Sequence, residues 1–119
     1  MSVLVSEAQT LTFGRSVNKD GQVVGAAQTF ALPKNGGTVV FHLQYPPSKS
    51  LPSVSFDIYK VEGGKETFIS TIKQSAEPSK TWLSKGITIY DSGMYRVYIY
   101  DEHDQLVVKS NFTVKVAAN

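Results

Sequence analysis

His42 and His103 are the two side chains of this 119-residue sequence able to exchange a proton near neutral pH. Nucleophilic catalysis needs such a base beside a hydroxyl or a thiol, and the sequence has no cysteine. His42 alternates with Phe41 and Leu43, which puts it on the outer face of a strand with no motif around it. A solvated or sheet-packed imidazole is the expectation there, not a base or a metal ligand. His103 lies in Asp101-Glu102-His103-Asp104, a run of oxygen donors in which Asp101 and Asp104 are the candidate ligands for a divalent cation. A calcium loop uses about six to eight oxygens at defined spacing and a glycine for its sharp turn. That glycine is missing, so the run reads as a solvated hairpin tip, and no metal is expected.

No paired carboxylates sit near a likely cleft, and Gly36-Gly37 and Gly63-Gly64 read as hairpin punctuation rather than phosphate loops, since no helix follows them. Asn111-Phe112-Thr113 matches a glycosylation acceptor but falls inside a strand. The expectation is no cofactor and no enzyme. Aromatic residues give the better lead. Tyr98 and Tyr100 fall on the outer face of one strand and Tyr59 on the outer face of another, so these three are the candidate ligand-binding residues. Exposed aromatics stack on sugar rings or fill protein interfaces; the alternative is that they pair across strands and stabilise the sheet.

The elements that must position these residues are strands. Tyr95, Val97 and Ile99 alternate with Met94, Arg96, Tyr98 and Tyr100, and Val108, Phe112, Val114 and Val116 alternate with Lys109, Asn111, Thr113 and Lys115. Ser110 is the one small polar residue on the inner face of that second run. The segment 101–105 between them closes an antiparallel hairpin. Earlier runs with the same period are 8–17, a weak one at 22–32 around Gly25-Ala26-Ala27, 38–45, 54–59, 67–72 and 81–90. Asn18-Lys19-Asp20-Gly21 and Glu62-Gly63-Gly64-Lys65 are turns. The prolines at 46, 47 and 52 make a connection that crosses between sheets, and residues 74–80 read as loop. Seven or eight short strands without sustained helical periodicity predict an all-β, antiparallel β-sandwich, with a closed barrel as the other architecture.

Asp91-Ser92-Gly93-Met94-Tyr95 resembles the D-x-G-x-Y run of immunoglobulin-like sandwiches, in which the tyrosine hydroxyl bonds back to nearby backbone. Asp91, Gly93 and Tyr95 are the corner residues this resemblance implies. The position two beyond the tyrosine is Val97 rather than cysteine, which excludes the antibody-type inter-sheet disulfide. The lone Trp82 lies too close to the corner to be the family's core tryptophan. The order Phe13-Gly14-Arg15-Ser16-Val17, Val23-Val24-Gly25, Gly93-Met94-Tyr95-Arg96-Val97 and Asn111-Phe112-Thr113-Val114 also resembles small bacterial immunoglobulin-like domains of unknown function, close to the fibronectin III-like architecture. The resemblance implies a secreted or membrane-associated accessory module rather than an enzyme.

Length and composition set the remaining bounds. A chain of this size forms one domain, residues 1–119, that sustains a core without metal or disulfide, with 1–7 a loosely ordered leading segment. Twelve Lys and Arg against ten Asp and Glu, with the lysines scattered, predict no nucleic-acid partner. The leading residues do not read as a signal peptide and no apolar run reads as a membrane-spanning helix, so the expected location is periplasmic or extracellular if an export signal lies upstream and cytoplasmic otherwise. The expected function is a non-catalytic immunoglobulin-like module for protein–protein contact or cell-envelope assembly, monomeric or weakly dimeric. Binding of a surface polysaccharide through the exposed tyrosines is the alternative.

Overall fold

Alternating apolar and polar residues become strand in ten places in a computed structural model that describes residues 9–45, 53–76 and 81–118. In chain order they are β1 (Thr10–Gly14), β2 (Ser16–Val17), β3 (Val23–Val24), β4 (Thr29–Leu32), β5 (Gly37–Gln44), β6 (Ser53–Glu62), β7 (Lys65–Ser75), β8 (Trp82–Ile89), β9 (Gly93–Tyr100) and β10 (Leu106–Val116). A three-stranded sheet runs β1-β5-β8 and a five-stranded sheet runs β4-β10-β9-β6-β7, while β2 and β3 form a two-stranded ribbon. The two sheets face one another across the core, which is the predicted sandwich. No helix long and apolar enough to cross a membrane occurs among the described residues.

The count exceeds the seven or eight strands expected because the weak 22–32 run breaks at Gly25 (φ 71°) into β3 and β4, and because the first run yields the short β2 as well as β1. One pairing is parallel: Thr113–Val116 of β10 lies beside Thr29–Leu32 of β4. The first run therefore enters one sheet as β1, and the chain returns to the other as β4. Strand β7 continues through Gln74 and Ser75, the first two residues of the segment expected to be loop, because β6 begins at Ser53 and pairs with them. Strands β5 and β6 belong to different sheets, as a crossing connection requires. The proline-rich connection itself, the 1–7 segment and Pro78 lie outside the described residues.

Phe112 is the centre of the interior. Its ring lies 4.8 Å from Phe13, 5.5 Å from Phe41, 5.3 Å from Tyr95 and 6.4 Å from Phe30, measured between centroids. Phe13 and Phe41 come from one sheet and Phe30, Tyr95 and Phe112 from the other, so this cluster joins the layers. Phe56, Ile58, Val97, Ile99 and Leu43 extend it, all essentially solvent-free. Tyr95 is buried and stacked on Phe112, and its hydroxyl donates a 2.7 Å hydrogen bond to the Asp91 carbonyl. Gly93 has φ 150°, a conformation rarely open to other residues, and a Cβ there would sit 2.8 Å from Lys60 Cε. The Ser92 hydroxyl accepts the Val116 amide at 2.8 Å, tying this turn to the end of β10.

Candidate functional site

The outer face of the five-stranded sheet collects the aromatic residues. Antiparallel pairing of β6 with β9 sets Asp57 opposite Tyr98, Ser55 opposite Tyr100 and Tyr59 opposite Arg96. Tyr59 and Tyr98 thereby meet on the diagonal, with ring centroids 5.4 Å apart and planes at 85°. Tyr98 and Tyr100, two residues apart on one strand, are nearly parallel at 6.5 Å. The three predicted tyrosines are thus brought together. A fourth aromatic joins them. The β6–β7 register shifts between Ile58 and Tyr59, so that Ile58 faces Ser70 but Tyr59 faces Phe68, leaving Ile69 as an extra residue on β7. The bulge turns Phe68 to the outer face, edge-on to Tyr59 at 5.6 Å. Phe68 and Ile69 are 55% and 50% exposed, on a strand that among the described residues pairs on one side only. No sequence motif marks the bulge, so Phe68 was not among the expected site residues.

Polar groups brace the aromatic cluster from one side. Glu66 accepts a short hydrogen bond from the Tyr98 hydroxyl and a 2.6 Å ion pair from Arg96, whose Nε donates to Asn111 Oδ1 at 2.9 Å. The Tyr98 bond first, and then the Arg96 bond, hold the Glu66 carboxyl below the usual glutamate range; the same Glu66 bond raises Tyr98. A carboxyl depressed in the folded state favours folding above its ordinary value, and that contribution disappears as the pH falls through the folded value. Tyr98→Phe should therefore move the Glu66 titration upward, as followed by the side-chain carboxyl carbon in NMR. An unchanged Glu66 titration would show that the hydroxyl does not hold the carboxylate. Nearby, the Thr71 hydroxyl donates to Asp57 at 2.9 Å.

The remaining predicted residues lie elsewhere. Asp101 Oδ1 accepts the amides of His103 and Gln105 at 2.8 and 3.0 Å, and Asp104 takes φ 60°, so the Asp101 carboxylate is engaged in shaping the β9–β10 turn. Among the described residues no group of three or more His, Cys, Asp or Glu side chains is placed to hold a metal ion. His42 is on the outer face of β5, as its alternation predicts, yet it is only 3% exposed. The ribbon turn folds over it. Asn18 Oδ1 accepts the amides of Asp20 and Gln22, and the Gly21 carbonyl so presented accepts from His42 Nε2 at 2.8 Å. Trp82, also on that outer face, stacks on the imidazole at 5.5 Å and 16°. Burial lowers the His42 pKa, against the opposing pull of the Gly21 bond.

No family model and no curated protein matches the chain. Solved structures do. An immunoglobulin-like protein from Pseudomonas aeruginosa is similar over 89% of this chain and 92% of its own, with TM-score 0.58 and 14% identity. A superoxide reductase (neelaredoxin) from Ignicoccus hospitalis is similar over 98% of this chain and 87% of its own, with TM-score 0.54 and 14% identity. A further structure of that reductase gives TM-score 0.51 at 12% identity, over 94% and 83%. At such identities the likeness is one of fold: an immunoglobulin-like β-sandwich. It also corrects one expectation. The absence of enzyme activity was inferred partly from the architecture, but enzymes are found among the structures that share it, so the inference fails. A sandwich frame leaves its loops and sheet faces free to carry a reaction centre, and fold does not decide chemistry.

Proposed function

We propose that this immunoglobulin-like module binds a protein partner through the outer face of its five-stranded sheet, with Tyr59, Phe68, Tyr98 and Tyr100 as the contact residues. The observation that supports this reading is the geometry of the cluster. A sugar-stacking platform needs ring faces lying open in one plane, whereas Tyr59 stands at 85° to Tyr98 and at 70° to Phe68. Interlocked rings with an exposed Phe68 at the margin form an irregular, partly apolar surface. Protein interfaces are enriched in tyrosine on surfaces of this kind, surrounded by groups such as Arg96 and Glu66. Asp91, Gly93 and Tyr95 hold the start of β9 and so fix where Tyr98 and Tyr100 stand. A single domain spanning residues 1–119 fits this role, whether in the cell envelope or elsewhere.

A photo-crosslinking side chain at position 68 tests the reading in cells that express the full chain. One protein adduct should form from position 68, be lost when Tyr98→Ala is added, and be absent when the crosslinker replaces Thr88 on the other sheet. Equal adducts from positions 68 and 88 would refute a specific face. A glycan array on which the protein binds sugars, with the signal lost in Tyr98→Ala, would transfer the same residues to carbohydrate recognition.

A further inference from the structure

Strand β10 is eleven residues long, but β4 covers only its last four positions, Thr113 to Val116. Among the described residues no strand pairs with Leu106–Phe112 on that side. The Thr113 amide donates to the Gln28 carbonyl at 2.8 Å, which shows which way this backbone points. In an extended strand the peptide groups of alternate residues face the same edge. The backbone groups of Asn111 and Lys109 therefore face the open side, while those of Ser110 and Phe112 face β9.

Two hollows flank this stretch of edge, one on each face of the sheet. The outer one, of about 590 Å³, is lined by polar groups including Lys109, Arg96, Asn111 and Thr29. The inner one, of about 330 Å³, is lined chiefly by Leu11, Phe13, Ala26 and Ala27, where the two sheets part beside β1. Gln28 and Ser110 border both. Ser110 is the small inward residue of β10 at the inner hollow, whereas the inward positions beyond it, Phe112, Val114 and Val116, carry larger apolar side chains.

We infer that the open edge of β10 between Lys109 and Phe112 accepts an extended segment of a partner protein as an added strand, one in which apolar and acidic side chains alternate. Successive side chains of a strand point to opposite faces. One residue of the added segment enters the apolar hollow over Ser110, and the next meets Lys109 in the polar one. Arg96 is ion-paired with Glu66, whereas Lys109 acts on that carboxylate only through its charge, so Lys109 is the cation that selects for acid. Main-chain bonds to Lys109 and Asn111 supply affinity, and the two hollows supply register and sequence preference. This seat lies on the opposite side of β9 from Phe68, and its test does not depend on the aromatic face.

The probe is a synthetic decapeptide in which valine and glutamate alternate, compared with a peptide of the same composition in two blocks. In the free protein, hydrogen exchange at the Lys109 and Asn111 amides should be fast and at Ser110 and Phe112 slow. The alternating peptide should slow the first two about tenfold or more, and the block peptide should not. Lys109→Pro removes one edge amide that β9 does not use, and proline is tolerated on such an edge. Ser110→Leu fills the inner hollow. Each should weaken binding about tenfold or more, with Tyr98→Ala changing it less than about twofold. If Lys109→Pro disturbs the β9–β10 amides, Ser110→Leu and Lys109→Gln still decide the matter. Equal binding of the two peptides, unchanged exchange at Lys109 and Asn111, or loss of binding only in Tyr98→Ala would overturn the inference.

Discussion

Phe112→Ala is expected to remove about 3–5 kcal/mol of unfolding free energy, the usual cost of deleting a large buried aromatic side chain. The ring touches Phe13 and Phe41 of the facing sheet and Tyr95 and Phe30 of its own, so its loss opens a cavity where both layers converge. The surrounding strands cannot collapse into that space without breaking hydrogen-bonded pairing. A domain of this size has about 5–15 kcal/mol in total, so a substantial share of the margin goes. With a urea slope of about 1–3 kcal/mol per molar, the midpoint should fall by more than about 1 M. Phe68→Ala is the control, because the same truncation on the outer face should stay within about 0.5 kcal/mol. Urea curves that shift equally for the two would mean that Phe112 is not the hub of the core.

The difference between those phenylalanines marks what could be read before any coordinates. Strict alternation in 95–100 and 108–116 assigned Val97, Ile99, Phe112 and Val114 to the interior and Tyr98 and Tyr100 to the outside, because a period of two leaves only one choice per residue. The same rule placed Tyr59. It could not find Phe68, since a bulge inserts one residue and reverses the parity of everything beyond it, and the bulge at Ile69 depends on pairing with β6. Nor could it see that, among the described residues, β4 covers only part of β10. That depends on where the chain re-enters the second sheet after the β2–β3 ribbon, a matter of long-range connection rather than local pattern. His42 shows a third limit. Its facing was legible, but the outer face of a sheet is solvated only if nothing lies on it. Here a turn twenty-one residues earlier does.

Gly21→Ala should lift that turn from the sheet. Gly21 has φ 81°, in the left-handed region, where a side chain costs about 1–2 kcal/mol. The added methyl would also fall 2.3 Å from the Trp82 indole, a rigid ring that cannot bend aside. The turn must move, which breaks the Gly21 carbonyl bond to His42 and lets water reach both rings. Tryptophan emission should shift to the red, and stability should drop by about 2 kcal/mol or more at pH 8. The pH dependence carries the finer test. Burial holds the folded His42 pKa below its ordinary 6.5, and its in-register neighbours Thr12 and Ser84 bring no compensating charge. Above 6.5 the imidazole is neutral in both states and the native protein keeps its full stability. As the pH falls below that value the unfolded chain takes up the proton first, so stability declines until the folded pKa is passed. His42→Gln should flatten the stability profile between about pH 6.5 and 5, above the range in which carboxylates dominate. Gly21→Ala should flatten it too, because a hydrated imidazole titrates alike in both states. A profile in this window as steep in His42→Gln as in the native protein would assign the slope to other groups, and with it would go the idea that the ribbon turn seals a neutral histidine against Trp82.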